Sequence, residues 1–369
     1  MSEFDRKPQI RFKGFTEPWE QRKLSDEAIE MVAGGDIDKS KLDENGEFPV
    51  LANALTNDGI VGYYASEYRI KAPAVTVTGR GDVGHAKARK IDFTPVVRLL
   101  SIRSNHDVDF LENAINTLKI VIESTGVPQL TVPQLGSYEF FFPQSTEEEK
   151  AIGTFFRNLD TLITLHQRKC DKLKTIKASL LKGMFPEKGA NTPKIRFKGF
   201  TEPWEQRKLE ELGKIETGNT PATSNLEYYS DTGLLWITPT DITSNITTKT
   251  VKYLSDKGEK VARVIPANST LCTCIASIGK NTFCPIKCAF NQQINALSPN
   301  NSNDPYFIFT NSYHWSITMK KGAGGLTFQI VNKTEFSSIE TYIPSKQEQV
   351  KIGQLFYKLD SLITLHQRK

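Results

Sequence analysis

Cysteine and long apolar runs are scarce in this 369-residue chain, and both shortages help to predict its cellular compartment. The five cysteines are an odd number and too few for a disulfide scaffold, which predicts a reducing compartment. No apolar run approaches the ~18–20 residues that a membrane helix needs. The chain starts MSEFDRKPQI, which is polar and lacks the apolar core of a secretory signal. We therefore expect a cytoplasmic protein.

The chain also lacks the motifs of several enzyme classes. It contains no Pro-Pro pair, which the Asn/Asp-Pro-Pro-aromatic motif of amino-methyltransferases needs to hold a flipped base. The G-x-x-x-x-G-K-[ST] motif of motor ATPases, an H-E-x-x-H motif and a credible nucleophile elbow are also missing. Glu148 and Lys150 match the E-x-K part of a nuclease motif, but the Pro-Asp part of that motif does not precede them. Because they also lie at the start of a predicted helix, we interpret them as part of a solvated helix face. The sequence predicts a protein that is not an enzyme.

Charge is modest overall but unevenly distributed. The net charge is only +5, which is weak for a dedicated nucleic-acid coat. The window 71–103 nevertheless holds seven Lys and Arg against two Asp, and such a local excess predicts a site for a polyanion.

The most informative feature that is present is an internal repeat. Residues 8–24 and 193–209 differ only at Gln9 and Lys194, and LDTLITLHQRK (159–169) recurs as LDSLITLHQRK (359–369). The inserts between these cassettes, roughly 25–142 and 210–343, share almost no sequence. We expect two equivalent frames that present two different surfaces. We also expect the aromatic residues of each cassette to anchor its insert in the core, namely Phe12, Phe15 and Trp19, and Phe197, Phe200 and Trp204.

Both inserts alternate short β-type runs with turn signals. Runs rich in Val, Ile, Leu and Tyr predict strands at 49–53, 60–65, 73–79, 94–102, 234–242, 269–277 and 293–297. A helix capped by Asp107 follows in the first insert, and a helix with Pro305 in its first turn follows in the second. Each insert is therefore predicted to be an α+β domain.

A long amphipathic helix is predicted over 147–185, where apolar residues recur every three or four positions. At 1.5 Å per residue it would span ~58 Å. The second copy, 346–369, has no match for the last 16 residues of the first, 170–185. The two helices are predicted to pair antiparallel, with His166 and His366 either setting the register or simply half-buried. The shorter copy would leave part of the first helix uncovered, at Leu173, Ile176 and Leu180.

Four of the cysteines form two close pairs, Cys272 with Cys274 and Cys284 with Cys288. Together they could form a four-thiolate zinc site. The spacing of the second pair is unusual for zinc, however, and the first insert has no counterpart. We favour buried cysteines without a metal.

Loops at matching places in the two inserts are the candidate recognition elements. Glycine-containing polar turns follow a β-run at 79–87 and at 277–281, and a second loop occurs near the end of each insert, at 126–131 and 320–325. Arginine can bridge guanine O6 and N7, and Asn or Gln can pair with adenine, so such loops suit DNA. The residues predicted to contact DNA are Tyr63, Tyr64, Arg80, His85, Lys87, Arg89, Gln129 and Thr131 in the first insert, and Thr238, Asp241, Lys280, Asn281, Gln292, Lys321 and Thr327 in the second.

The order of cassette, insert and long helix, twice over, resembles the specificity subunit of type I restriction–modification enzymes. The F-K-G-F-x-x-x-W segments, the TGRGDVG and ASIGKN turns, FNQQINAL (290–297) and the L-D-x-L-I helices carry the resemblance. It implies an α+β protein with a pseudo-twofold internal repeat, in which two α/β target recognition domains are joined by two long conserved helices that form an antiparallel coiled-coil spacer. The corresponding domain boundaries are 1–146, 147–185, 186–345 and 346–369.

The resemblance also implies a function and partners. Each recognition domain would read one half of a bipartite double-stranded DNA target in a bacterial cytoplasm. The chain would assemble with two methyltransferase subunits and with restriction–translocase subunits. S-adenosylmethionine, ATP and Mg²⁺ would bind those partners, and this chain would bind no cofactor or metal. A coiled-coil scaffold whose inserts bind proteins is the alternative, and binding to duplex DNA that weakens steeply with salt would argue against it.

Overall fold

The computed structural model describes residues 7–120, 128–322 and 330–367. The chain divides into two compact units, Met1–Leu165 and His166–Lys369. This boundary lies inside the long helix that the sequence predicts as a separate segment. None of the helices in the described ranges is long and apolar enough to cross a membrane.

Unit 1 is built mainly from short strands. Its elements are β1 (Glu20–Lys23), α1 (Leu24–Glu27), β2 (Ala28–Ala33), β3 (Phe48–Leu51), β4 (Ile60–Tyr64), β5 (Ala74–Thr78), β6 (Ala86–Arg89), β7 (Thr94–Pro95), β8 (Leu99–Ser104), α2 (Val108–Asn116), α3 (Val132–Gly136), β9 (Glu139–Phe142) and the first part of α4 (Thr146–Gly183). The strands form sheets in the orders β2-β8-β5-β6, β4-β3-β7 and β1-β9. Pairing of β1 with β9 joins the first cassette to the strand that precedes α4.

The core of unit 1 lies between the four-stranded sheet and α2. Every residue of β5 is buried, which explains its nearly continuous β-branched sequence. As predicted, Asp107 caps α2, because its Oδ1 accepts hydrogen bonds from the backbone N–H groups of Asp109 and Phe110. The apolar face of α2 then packs on the sheet through Phe110, Leu111 and Ile115.

Unit 2 repeats this scheme with longer elements. After the second part of α4 come β10 (Glu205–Lys208), α5 (Leu209–Leu212), β11 (Gly213–Thr217), β12 (Tyr229–Ser230), β13 (Leu234–Ile237), β14 (Tyr253–Leu254), α6 (Asp256–Val261), β15 (Val264–Ile265), β16 (Ser269–Thr273), β17 (Asn281–Cys284), β18 (Cys288–Phe290), β19 (Ile294–Pro299), α7 (Pro305–Gly322), α8 (Lys333–Ser337), β20 (Glu340–Ile343) and α9 (Lys346–Gln367). The sheet orders are β11-β19-β16-β17, β12-β14-β13-β18-β15 and β10-β20.

The two units share topology as well as element order. The order β11-β19-β16-β17 matches β2-β8-β5-β6 strand for strand, and both sheets are antiparallel. The second sheet of each unit contains one parallel pair, β3 with β7 in unit 1 and β13 with β18 in unit 2. The internal repeat therefore extends through the inserts, where sequence similarity is lost.

Helix pairing occurs within unit 2 as predicted. Nδ1 of His166 lies 3.0 Å from Nδ1 of His366, and Lys177 Nζ contacts Asp360 Oδ1 at 2.5 Å. Since the partner number falls as the α4 number rises, α9 runs antiparallel to the C-terminal part of α4. The two histidines therefore meet in the helix pair.

Two predicted strands are shorter than their sequence runs. The run at 94–102 is broken at Arg98, whose φ of +69° lies in the left-handed region, so β7 and β8 are separate strands. The run at 234–242 ends at Ile237, and a turn containing Pro239 follows.

Candidate nucleic-acid interface

Each unit contains the same hydrogen-bonded turn at the end of a central strand. In unit 1 the N–H of Gly84 donates to the carbonyl of Thr78, and the N–H of Thr78 donates to the carbonyl of His85. In unit 2 the N–H of Gly279 donates to Thr273, and the N–H of Thr273 donates to Lys280 in the same way. The predicted loops after β5 and β16 are therefore one structural element built from two different sequences.

A threonine at the end of each strand organises this turn. The Oγ1 of Thr78 accepts from the N–H of His85 at 2.9 Å and donates to the carbonyl of Asp82. The Oγ1 of Thr273 accepts from the N–H of Lys280 at 2.9 Å and donates to the carbonyl of Ser277. Sequence reasoning did not single out these threonines. The signal was available, because in each insert a glycine stands six positions after the last threonine of the strand.

Positive φ angles recur at matching places in the two turns. Gly81 and Gly84 have φ of +76° and +95°, and Ala276 and Gly279 have +63° and +77°. Glycine enters this region without steric cost, whereas alanine at 276 is strained. Because the backbone frame is fixed, the exposed side chains between these positions are free to differ.

In unit 1, basic side chains that the sequence predicts to contact DNA line a cleft beside the turn. His85, Lys87 and Arg89 alternate along β6 and its approach, so they share one face of the strand. Together with Asp58 and Thr76 they border a cleft of about 300 Å³.

Carboxylates from outside the window 71–103 neutralise part of its positive charge. Lys90 pairs with Asp109 at 2.7 Å, Arg103 with Glu30 at 3.2 Å, and Lys87 with Glu112 at 3.7 Å. The ion pairs within the described ranges do not include Lys71, Arg80, Arg89 or Arg98. The excess of positive charge in this window is thus smaller than the count of charged residues along the sequence implies.

Arg89 is the most constrained of these cations. Its Nε donates to Thr76 Oγ1 at 3.0 Å. Burial lowers the pKa of Arg89, while the nearby charges of Asp58 and Glu112 act in the opposite direction. A guanidinium held beside a cleft without a paired carboxylate is a ready partner for an anion.

The second predicted loop of unit 1 reaches the turn. Arg80 forms a backbone bridge with Gln129, and the N–H of Leu130 donates to the carbonyl of Gly79. Thr131 follows directly and caps α3. Arg80, Gln129 and Thr131 are exposed, so the structure brings three predicted residues onto one surface.

In unit 2 the predicted residues are spread along the equivalent surface. Lys280 is exposed at the turn. Thr238 follows β13 and Gln292 follows β18, and because these parallel strands end side by side, both residues lie at one sheet edge. Gln292 also accepts a hydrogen bond from Thr220.

The family model described as "Type I restriction modification DNA specificity domain" matches residues 16–175 and 201–369. Together the two matches cover most of the chain, and each spans one copy of the repeat.

The chain belongs to this family.

Curated relatives agree with the assignment. The chain is 33% identical over 165 residues to the "Type I restriction enzyme HindI specificity subunit" of Haemophilus influenzae, covering 42% of this chain and 36% of that protein. It is 29% identical over 174 residues to the MjaIX specificity subunit of Methanocaldococcus jannaschii, covering 43% and 38%. These alignments therefore span less than half of each curated relative.

Similarity of fold extends over nearly the whole specificity-domain chain. A crystal structure of the type I restriction–modification S subunit from M. genitalium aligns with a TM-score of 0.64 at 14% identity, over 96% of this chain and 92% of that one. At this identity the likeness concerns the fold alone.

Several predicted contact residues of this specificity-domain chain have structural roles. Tyr64 is buried, and its hydroxyl bonds the backbone N–H and carbonyl of Asp38, so it anchors a loop instead of facing a duplex. Asn281 is turned toward α7, where its Nδ2 donates to Ser316 Oγ at 2.6 Å and to the carbonyl of Ser312 at 3.1 Å.

Asp241 is likewise committed to its own turn. Its Oδ2 accepts from the N–H and the hydroxyl of Thr238, and its Oδ1 accepts from the N–H of Val251. Tyr63 is half-buried in β4, and Lys321 belongs to the last turn of α7. The predicted contact at Thr327 lies outside the described residues.

The interpretation of Glu148 as a solvated residue is wrong. Its side chain is 1% exposed, and both its oxygens bind the guanidinium of Arg11 at 2.7 Å. Arg196 and Glu348 repeat the pair in unit 2. Arg11 and Arg196 belong to the repeated cassettes, whose tryptophans also pack as predicted, although Phe12 is 40% exposed.

The two cysteine pairs lie in different clusters of the core. Cys272 and Cys274 pack with Trp204 and Phe307, whereas Cys284 and Cys288 pack with Leu271. Burial raises the pKa of the Cys272 thiol, which opposes thiolate formation. The described residues contain no group of three or more potential metal ligands.

Proposed function

We propose that this chain is the DNA-reading component of a type I restriction–modification complex, in which each unit recognises one half of a bipartite target. The main support is the turn that both units build with the same backbone hydrogen bonds and dissimilar side chains. A fixed frame with interchangeable side chains is what two unlike half-sites require. Membership in the specificity-domain family supports the same role.

Base recognition would centre on the exposed turn of each unit. Arg80 and Gln129 in unit 1, and Lys280 and Gln292 in unit 2, would approach base edges in the major groove, where each base pair presents a distinct pattern of donors and acceptors. Lys87 and Arg89 would bind phosphates and fix the register on the duplex.

Partner subunits would perform the chemistry. Methyltransferase subunits with S-adenosylmethionine would modify the target, and restriction–translocase subunits with ATP and Mg²⁺ would cleave. The lack of catalytic motifs in this chain supports this division. Helices α4 and α9 would set the number of unread base pairs between the half-sites.

The direct test is to map methylated bases across the genome of cells that carry the partner subunits with and without this chain. We expect a motif of two specified halves separated by unspecified bases, present only when the chain is present. One uninterrupted motif, or a motif that persists without the chain, would contradict the proposal.

A protein-binding scaffold is the second candidate, and the exposed apolar residues of α4, such as Leu162 and Ile163, favour it. The two roles differ in their response to salt. A reader that neutralises phosphates should lose duplex affinity steeply as salt rises. Binding to a protein partner that does not change with salt would favour the scaffold.

A further inference from the structure

Two histidines from equivalent places in the repeat meet in unit 2. His166 and His366 each belong to an L-I-T-L-H-Q-R-K segment, and 200 positions separate them along the chain. Nδ1 of His166 lies 3.0 Å from Nδ1 of His366. The ring centroids are 5.1 Å apart and the rings are tilted by 45°. The two rings therefore approach each other through their Nδ1 edges and do not stack face to face.

Buried neighbours fix the backbone on both sides of this contact. Cys170, one turn after His166 on α4, is 2% exposed, and Ile363, one turn before His366 on α9, is 7% exposed. The histidines themselves reach the surface, since His166 is exposed and His366 is half-buried. The two rings therefore extend from a fixed backbone and remain accessible to ions and water from solution.

The distance between the two Nδ1 atoms suits a shared metal ion. In a neutral pair, one Nδ1–H donates a hydrogen bond to the other Nδ1. Zinc binds imidazole nitrogen at about 2.0–2.1 Å, so two nitrogens on one tetrahedral ion lie ~3.3 Å apart. A shift of a few tenths of an ångström from 3.0 Å would thus let an ion replace the shared proton. That proton would move to Nε2 of the same ring, because a ring that binds metal through Nδ1 carries its proton on Nε2.

The surroundings of the pair select the class of metal. Within the described ranges, no Asp, Glu or Cys side chain joins the two histidines to make a group of three potential ligands. Lys169 also lies close enough for its positive charge to act on the ring of His366. Mg²⁺ and Ca²⁺ need oxygen ligands, whereas zinc, copper and nickel ions bind imidazole. The pair therefore suits a transition metal ion and not a cation that is attracted by charge alone.

We propose that His166 and His366 form a binding site for one divalent transition metal ion of the zinc, nickel and copper class. Each ring would bind the ion through Nδ1, and water would complete the coordination shell. The ion would join α4 to α9 at the point where equivalent positions of the repeat meet. This site departs from the expectation, implied by the family resemblance, that the chain binds no metal. The inference does not depend on the DNA-reading role.

The other three of the five histidines are weaker candidates for the same ion. Both ring nitrogens of His106 are already hydrogen-bonded, to Glu149 and to Glu27. His314 packs against Phe185 with ring centroids 4.6 Å apart, and its Nε2 is buried. His85 is exposed at the turn after β5. It therefore serves as the control for binding to a single surface histidine.

The test titrates NiCl₂ into the full chain at neutral pH without chelators and follows binding by isothermal calorimetry. We expect one ion per chain, and MgCl₂ should not bind at this site. Loss of a group that only supports a ligand weakens metal binding by about 10–100-fold, so His166→Gln and His366→Gln should each weaken it by about tenfold or more. Glutamine can still form hydrogen bonds between the helices. His85→Gln should bind nickel as the unchanged chain does.

Electron paramagnetic resonance of the chain with one equivalent of Cu²⁺ identifies the ligands directly. The copper signal should show coupling to two imidazole nitrogens, and to one in either glutamine variant. Absence of nickel binding would overturn the proposal and leave the pair as a hydrogen bond. Nickel binding that His166→Gln does not weaken would also overturn it, because the ion would then be adventitious. A copper signal without two imidazole nitrogens would have the same consequence.

Discussion

The guanidinium of Arg11 binds both carboxylate oxygens of Glu148 at 2.7 Å, although 137 residues separate the two along the chain. Arg196 binds Glu348 in the same manner, at 2.7 and 2.8 Å. Each pair ties a repeated cassette to the first turn of a long helix. Two-point pairing with a carboxylate requires the planar fork of arginine, which accounts for the arginine at the same place in both copies.

Arg196→Met should destabilise unit 2 strongly. Glu348 is 1% exposed, and removal of its partner would leave a buried charge uncompensated, which costs about 3–5 kcal/mol. Urea unfolding of the full chain would measure the loss. Lys41→Met is the matched control, because the exposed pair of Lys41 with Glu67 should contribute about 0–1 kcal/mol. Equal effects of the two variants would contradict the assigned role of the Arg196–Glu348 pair.

His106 should make the stability of unit 1 depend on pH. Its ring nitrogens lie 2.7 Å from Glu149 and 2.8 Å from Glu27. Burial alone would lower the pKa of His106, but hydrogen bonds to the two carboxylates and their charges raise it above its ordinary value. A raised folded-state pKa means that this stabilisation is fully present below the unfolded pKa of about 6.5 and is lost as pH rises through the folded pKa.

Glu27, in the same cluster, should make unit 1 less stable at low pH. Burial of Glu27 opposes its ionisation, but hydrogen bonds from His106 and Arg22 outweigh this and lower its pKa. Its contribution is therefore lost as pH falls through that lowered value. Urea unfolding between pH 2 and pH 9 should show both slopes. His106→Gln should remove the upper one at a cost of about 2 kcal/mol, whereas His85→Gln, at the exposed turn, should keep it. An unchanged slope in His106→Gln would refute this assignment.

Thr78→Val and Thr273→Val should each impair recognition of one half of the target. The substitution keeps the shape of the side chain but leaves the N–H of His85 or Lys280 without its acceptor, which costs about 1–3 kcal/mol when the group is buried. Methylation of single-base variants of the target would reveal which half relaxes. Thr161→Val, on the exposed face of α4, is the control. Equal relaxation of both halves by Thr78→Val would show that the turns do not act separately.

Arg80→Ala and Arg89→Ala should affect DNA binding in different ways. Arg80 is exposed at the turn, and its loss should cost about 1–3 kcal/mol and relax one base of one half-site. Arg89 lies in the cleft, and its loss should weaken all duplexes alike and reduce the salt slope by about 1. Competition binding with single-base variants at several salt concentrations separates the two effects. A uniform loss for Arg80→Ala would make it a phosphate contact.

Local patterns in the sequence predicted much of the fold. The cap at Asp107 and the proline at the start of α7 located their helices correctly, because capping depends on neighbouring residues. Runs of apolar and β-branched residues located β5 and β16 for a similar reason. The break at Arg98 escaped prediction, because no residue there is a conventional turn former.

Features that depend on distant residues were harder to predict. From its neighbours in the sequence, Glu148 is typical of a solvated helix start. In the fold it is buried, because it pairs with Arg11 of the first cassette. The short second helix predicted that Leu173, Ile176 and Leu180 are partly uncovered. Leu173 and Leu180 are half-buried against the core of unit 2, and Ile176 is 40% exposed. The larger exposure falls on the earlier part of α4, because α9 covers the later part.

Exchange of residues 25–142 for the corresponding insert of another family member tests the central claim most directly. The cassettes and helices stay unchanged, so any effect belongs to the insert. Mapping of methylated bases should then show a new sequence in one half of the motif, with the other half and the gap unchanged. Alteration of both halves, or of neither, would contradict recognition by two independent units.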